Sequence, residues 1–194
     1  MIVRIIAGAP SAYIEEFSND YVIAVDFGVE HAINKDIKID LAVGDFDSVD
    51  KTYLNDLKIL ELNPIKDETD LYVAIQEAIR LNPEKIVIYG ATNGRFDHYI
   101  ANIHLLDLYN IEIVDEVNKI FIKDNKFKLK KRNGYVSFFN YSGNPVISLE
   151  GFKYPLNEYH LEYGDSLCVS NEIIDDFGEI NIKNGKVLVI LSNK

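Results

Sequence analysis

The sequence predicts an α/β domain followed by an all-β domain: a mostly parallel α/β/α layer over residues 1–116, then an antiparallel β-sandwich or barrel over 117–194. Three observations predict it. Short, nearly continuous apolar runs at 2–7, 21–25, 40–43, 58–62 and 85–89 suit strands covered on both faces, as in a parallel sheet. Two helical stretches lie among and after these runs. Beyond 111–119 helical periodicity fades, and short alternating strands with turn residues take over.

The elements follow in order. Residues 69–81 predict the best helix: Leu71, Ala74, Ile75, Ala78 and Ile79 form an apolar stripe, with Thr69 as N-cap. Residues 96–108 predict a second, with Ile100, Ile103, His104 and Leu108 near one face. The one basic run, 126–132, alternates Lys with apolar residues, as a strand with one solvated face does. Segments 135–141, 146–149, 166–170, 180–183 and 187–191 read as further strands. Between the last two, Lys183-Asn184-Gly185-Lys186 predicts a hairpin, because a type I′ turn needs positive φ at both central residues. No internal repeat or low-complexity linker interrupts the chain.

Composition narrows the function. A net charge of −11 argues against a nucleic-acid surface, which would show a basic patch. No apolar stretch reaches membrane-spanning length, and residues 1–7 are too short and wrongly flanked for a signal peptide. The single cysteine, Cys168, forms no internal disulfide, so a cytoplasmic setting is expected.

Chemistry concentrates in acidic motifs where strands give way to turns or helices: Gly44-Asp45-Phe46-Asp47-Ser48, Lys66-Asp67-Glu68-Thr69-Asp70 and Gly94-Arg95-Phe96-Asp97-His98. Asp26-Phe27-Gly28 adds a fourth acidic strand end. Ligands of open α/β sheets sit at that edge. Gathered carboxylates repel: two unit charges about 4 Å apart cost roughly 4 kcal/mol at an effective dielectric near 20. A Mg²⁺ ion removes that cost and draws phosphate oxygens into its shell. The pattern therefore predicts a magnesium-dependent site for a phosphorylated ligand. Asp45 and Asp47, two apart beyond a strand, are expected to point the same way, and Gly44 to admit a ligand to the backbone. Taken alone, they also fit an Asp-rich turn. Asp67 and Asp70 equally suit a helix start, where they complement the dipole. In Tyr89-Gly90-Ala91-Thr92-Asn93-Gly94-Arg95, backbone N–H groups are placed to cradle phosphate, and Arg95 supplies a bidentate donor. Asp97 suits a metal or an attacking hydroxyl, whereas His98 reads first as a packing residue. The loop carries neither a Walker A sequence nor a dinucleotide-binding glycine pattern.

In order, these motifs, with Ala101-Asn102, Gly151-Phe152-Lys153-Tyr154-Pro155-Leu156 and Val169-Ser170-Asn171-Glu172, resemble thiamine pyrophosphokinase over nearly the whole chain. The resemblance implies transfer of a pyrophosphoryl group from ATP to the hydroxyl of thiamine, with Mg²⁺, giving thiamine diphosphate and AMP. It makes 1–116 the ATP/Mg²⁺ catalytic domain and 117–194 the thiamine-binding domain. It implies catalytic roles for Asp47, Asp70, Arg95 and Asp97, and Mg²⁺ ligation by Asp45, Asp47 and Asp70. ATP-phosphate contacts fall to Asp26, Asp45, Lys66, Asp67, Thr69, Asn93 and Gly94, and thiamine contacts to Asp97, Ser170 and Asn171. It also implies a homodimer with composite sites. Two positions depart from the family pattern: Phe27 stands where the second strand usually ends Asp-Gly-Gly, and Asn93 replaces the first of two glycines before the arginine. The competing readings are a diphosphokinase for a pterin or another heterocyclic alcohol, an aspartate-dependent phosphohydrolase, and a thiamine or nucleotide sensor without turnover.

Overall fold

The structure, a computed structural model, describes residues 1–10, 12–47, 49–65 and 67–194. The chain divides into two compact units, Met1–Glu116 and Val117–Lys194.

In the first unit, six strands lie in the order β6-β5-β1-β2-β3-β4: β1 (Ile2–Ile6), β2 (Tyr21–Val25), β3 (Leu41–Gly44), β4 (Ile59–Glu61), β5 (Lys85–Tyr89) and β6 (Ile111–Val114). Every pairing among them is parallel. Their side chains are buried on both faces at the centre, which is why these segments read as unbroken apolar runs. Helix α2 (Asp70–Arg80) buries Leu71, Ala74, Ile75 and Ala78, and Thr69 caps it by accepting from Tyr72 N at 3.2 Å.

One helix was not expected, and one helical expectation needs correction. A short helix α1 (Gly28–Ile33) follows β2 and escaped the sequence reading, because Phe27 at its N-cap offers no capping oxygen. Helix α3 runs Phe96–Leu105 and stops short of 108, since the chain must turn to lay Ile111 beside Ile86. Its expected apolar face is not the buried one. Ile100 and Leu108 are exposed, whereas Asn102 and Leu106 are buried.

The second unit is wholly antiparallel: β7 (Asn118–Lys123), β8 (Phe127–Lys130), β9 (Gly134–Glu150), β10 (Leu156–His160) and β11 (Phe177–Asn193). Strand β9 pairs with β11 along nearly its whole length, while β8 and β7 share the other edge of β11. Segment 127–130 behaves as its pattern predicts, with Lys128 and Lys130 exposed and Phe127 and Leu129 half-buried.

The hairpin at Asn184-Gly185 is corrected. Asn184 does take φ 63°, but within a bulge of one continuous strand, where the register shifts between Lys183 and Gly185. The bulge resets the pleat. On β11 the core residues are Ile180 and Ile182 before it, then Val187 and Val189 after it; on β9 they change from Val136 and Phe138 to Ile147 and Leu149. Even-numbered positions give way to odd ones in both strands, so both arms bury their apolar faces in one core cluster. The expected strand at 166–170 is also absent. That segment forms turns, and beside it lie only isolated bridges from Val136 to Asn171 and from Phe152 to Ile173. Among the described residues, no helix is long and apolar enough to cross a membrane.

Candidate active site

Strands β1 and β5 are neighbours, but the chain leaves β1 toward β2 on one side and β5 toward β6 on the other. Their following loops part, and open α/β sheets bind ligands in the crevice so formed. A cleft of about 480 Å³ lies there. Its wall includes residues 7–9 after β1, Asp26 and Phe27 after β2, Asp45 after β3, Glu68, Thr69 and Asp70 at the start of α2, and residues 90–93 with Arg95, His98, Tyr99 and Asn102 after β5. A larger cavity, about 1000 Å³, opens by residues 14–22, 35–38 and Asp40 at the other end of β2. Its wall mixes acidic side chains with Lys35 and Lys38 and holds none of the motifs, so the smaller cleft is the candidate site.

Local backbone explains how the carboxylates arrive. Asp26 takes φ 47°, and its Oδ1 is buried against Gly44. A Cβ at Gly44 would stand 1.9 Å from that oxygen, so the glycine makes room for the carboxylate. Phe46 is buried at φ 53°, an uncommon conformation for a bulky residue, and its ring belongs to the core cluster of this unit. Strain of this kind persists where surrounding packing over-determines it. The strand ends at Gly44 and a turn anchored by Phe46 follows, so the two-residue alternation stops. Asp45 lines the cleft, whereas Asp47 is exposed and lies outside its wall, with its N–H donated to Asp45 Oδ1 at 3.3 Å. Gly44→Ala is expected to displace the Asp26 carboxylate, lowering turnover at least about tenfold while costing about 1–2 kcal/mol of stability. Paired kinetic and thermal-unfolding measurements check it, and an unchanged rate refutes the coupling.

At the α2 start, Asp70 Oδ1 is buried and Thr69 Oγ1 already accepts the capping bond. That hydroxyl keeps its proton for donation to a ligand. Asp67 is exposed and lies outside the cleft wall, and Lys66 falls outside the described residues.

After β5, Asn93 lines the cleft and Gly94, at φ 135°, is exposed beside it. Arg95 donates to Asp97 through Nε at 3.2 Å and Nη2 at 2.6 Å. That fork, with a further bond from His98 N, holds the Asp97 carboxyl down at about 2. Asp97 is therefore ionised at neutral pH, and Arg95 retains three N–H donors for phosphoryl oxygens. The buried Asn102 donates to Ala91 O at 3.0 Å, tying the loop to α3.

In the second unit, Ser170 is exposed at φ 59° and its N–H donates to Ser137 Oγ at 2.9 Å. Asn171 is 3% exposed. Its Oδ1 accepts from Tyr154 N at 3.1 Å and Glu172 N at 2.9 Å, and its Nδ2 donates to Tyr154 O at 2.8 Å. The carboxamide thus clamps the 151–155 segment to the 170–172 turn, a structural use the sequence reading did not foresee.

Sequence reasoning also missed residues 7–9, whose signal was Gly8 just past a first apolar strand, and His31, whose Nε2 donates to Ala9 O at 2.9 Å. Among the described residues, no group of three or more His, Cys, Asp or Glu is gathered closely enough to cage a metal.

The sequence matches two family models in succession: the thiamin pyrophosphokinase catalytic domain over residues 15–118 and the thiamin pyrophosphokinase vitamin B1 binding domain over 124–187. The chain belongs to the thiamin pyrophosphokinase family. It is 32% identical to thiamine pyrophosphokinase of Bacillus subtilis, over 98% of each chain. The crystal structure of a Bacillus subtilis thiamine pyrophosphokinase superposes with a TM-score of 0.92 at 30% identity, covering both chains fully. That of a thiamin pyrophosphokinase from Geobacillus thermodenitrificans gives 0.91 at 29%, covering this chain fully and 98% of the other. The gap between the two thiamin pyrophosphokinase models falls within β7, the first strand of the antiparallel unit.

Proposed function

We propose that this protein is a thiamine pyrophosphokinase, which moves the pyrophosphoryl group of ATP to the hydroxyl of thiamine and releases AMP. The observation that carries the reading is the switch-point cleft of the first unit, walled by Asp26, Asp45, Thr69, Asp70 and Arg95, in a chain matching both family models. Unit 1–116 would hold ATP, and unit 117–194 would supply the thiamine side, with Ser170 exposed at its 170–172 turn.

The chemistry needs no covalent help from protein. The thiamine hydroxyl oxygen attacks the β-phosphorus, the bond to the α–β bridging oxygen breaks, AMP leaves with that electron pair, and the hydroxyl proton passes to solvent water. Positioning and charge stabilisation dominate such transfers. Arg95 steadies the phosphoryl oxygens with its remaining donors, while ionised Asp97 fixes the plane of the guanidinium. Asp97 Oδ2 keeps a lone pair for the hydroxyl hydrogen while the fork stands, and a carboxyl held down at about 2 is a weak base. Loop N–H groups at Asn93 and Gly94, and the Thr69 hydroxyl, receive the polyphosphate.

The donor set fits Mg²⁺, which is held by one or two carboxylates with phosphate oxygens rather than by an all-protein cage. Asp45 and Asp70 in the wall, with Asp47 in the same turn as Asp45, would hold it, and bound there it would neutralise charge on the phosphoryl oxygens. The proposed assembly is a homodimer with composite sites, working in the cytoplasm. The thiol of Cys168, buried and pushed up to about 11 by that burial, suits such a reducing setting.

Purified protein given ATP, thiamine and Mg²⁺ is expected to form AMP and thiamine diphosphate in equal amounts, and no AMP when thiamine is omitted. AMP formed only with a pterin or another heterocyclic alcohol would move the acceptor. Binding without product would make the protein a sensor and overturn the reading.

A further inference from the structure

The polar groups of the cleft grip phosphates, and phosphates alone do not distinguish ATP from inorganic tripolyphosphate. Recognition of the nucleoside needs a flat apolar face in the same wall. Two carbocyclic rings line it, Phe27 and Tyr99. Tyr99 already faces the Phe96 ring at 6.0 Å. Phe27 is 38% exposed and follows Asp26 directly in the cleft wall.

Its mounting is rigid. Phe27 is the N-cap residue of α1, and the loop after β1 passes directly beneath it. A Cβ at Gly8 would come within 3.1 Å of Phe27 Cβ, so only glycine leaves that approach comfortable. The Phe27 ring meets His31 edge-on, with centroids 5.1 Å apart at 87°, and His31 is itself bonded to Ala9 O. A ring held this way loses little freedom when a base stacks on it.

We propose that Phe27 is the stacking platform for the nucleobase of ATP in this chain. The proposal rests on the reading of the cleft as the ATP site. The base rather than thiamine is assigned to it because the vitamin B1 binding model covers 124–187, the other unit. Base–aromatic stacking tolerates any base with a π-face, so the platform confers preference for nucleotides over bare polyphosphate.

The test is titration calorimetry of ATP and of inorganic tripolyphosphate, in one magnesium buffer, against wild type, Phe27→Ala and Phe27→Tyr. Phe27→Ala is expected to weaken ATP about tenfold and to leave tripolyphosphate within about twofold, while Phe27→Tyr keeps ATP affinity. Thermal unfolding without ligand confirms that each variant is folded. Equal losses for both ligands would make Phe27 a shaper of the phosphate loop, and unchanged ATP affinity would remove it from recognition; either result overturns the platform. If wild type binds neither ligand, the ATP-site reading falls first and the platform with it. If wild type binds ATP and the Ala variant binds it equally, only the platform falls.

Discussion

Asp70→Asn is expected to cut thiamine-dependent AMP formation by about 10²–10³-fold, the usual cost of deleting one preorganised electrostatic group, while leaving the protein folded. Asp70 is the first residue of α2, its Oδ1 is buried, and it lines the cleft between Thr69 and Leu71. The helix does not depend on it for its cap. Thr69 accepts from Tyr72 N, and Val73 N donates to Thr69 O at 3.1 Å. Losing a first-turn negative charge costs about 0.3–1 kcal/mol, and asparagine keeps the shape. If Asp70 served only the helix dipole, the rate would change less than about twofold, because that small stability term would be its whole effect. The two roles separate cleanly: a large loss of turnover with an intact melting curve supports the ligand role, and near-wild-type turnover refutes it. Partial recovery of rate at raised Mg²⁺ would locate the lost interaction at the cation.

The parallel sheet was legible because both of its faces are covered. Burial on two sides removes polar alternation and leaves plain apolar runs, so β2 and β5 carry the bounds their sequence suggests. Helix α2 was legible for two reasons that agree, an N-cap threonine and a stripe at helical spacing. What could not be read was geometry decided by distant backbone. Asn184-Gly185 has the local chemistry of a hairpin, yet β9 lies alongside β11 on both sides of it, so the positive φ serves a bulge. Asp45 and Asp47 are separated by a buried Phe46 whose left-handed backbone ends the strand period. Asn171 is assigned to thiamine by resemblance, and nothing in the sequence signals that its carboxamide is also engaged by three backbone groups from 154 and 172. Helix α3 misled differently: one polar side chain, Asn102, sits on its buried side, and hydrophobic periodicity alone does not anticipate a polar residue there.

Gly28→Ala is expected to be among the most destabilising single substitutions in the first unit, by about 3 kcal/mol, or roughly 6–12 °C in melting temperature for a chain of this length. The cause is backbone against backbone. A Cβ on Gly28 would stand 2.0 Å from Ile6 O and 2.7 Å from Ile6 C. Ile6 has no room to retreat, since it pairs with Ala24 on one side and Tyr89 on the other at the centre of the parallel sheet. Helix α1 is pinned in turn by buried Val29 and Ala32. Gly44 differs, because its missing Cβ first meets the end of the Asp26 side chain, which can rotate away at the expense of the site, and φ 155° with Asp26 N at 3.2 Å adds backbone strain. The Asp26-Phe27-Gly28 motif therefore divides by function: the first residue serves the cleft, and the last permits α1 to start against β1. Phe27 is exposed and free of that constraint, so the position tolerates a ring where Gly28 tolerates no side chain. A melting temperature for Gly28→Ala within about 2 °C of wild type, less than 1 kcal/mol at this chain length, would show that α1 can shift away from β1, and the contrast with Gly44 would fail.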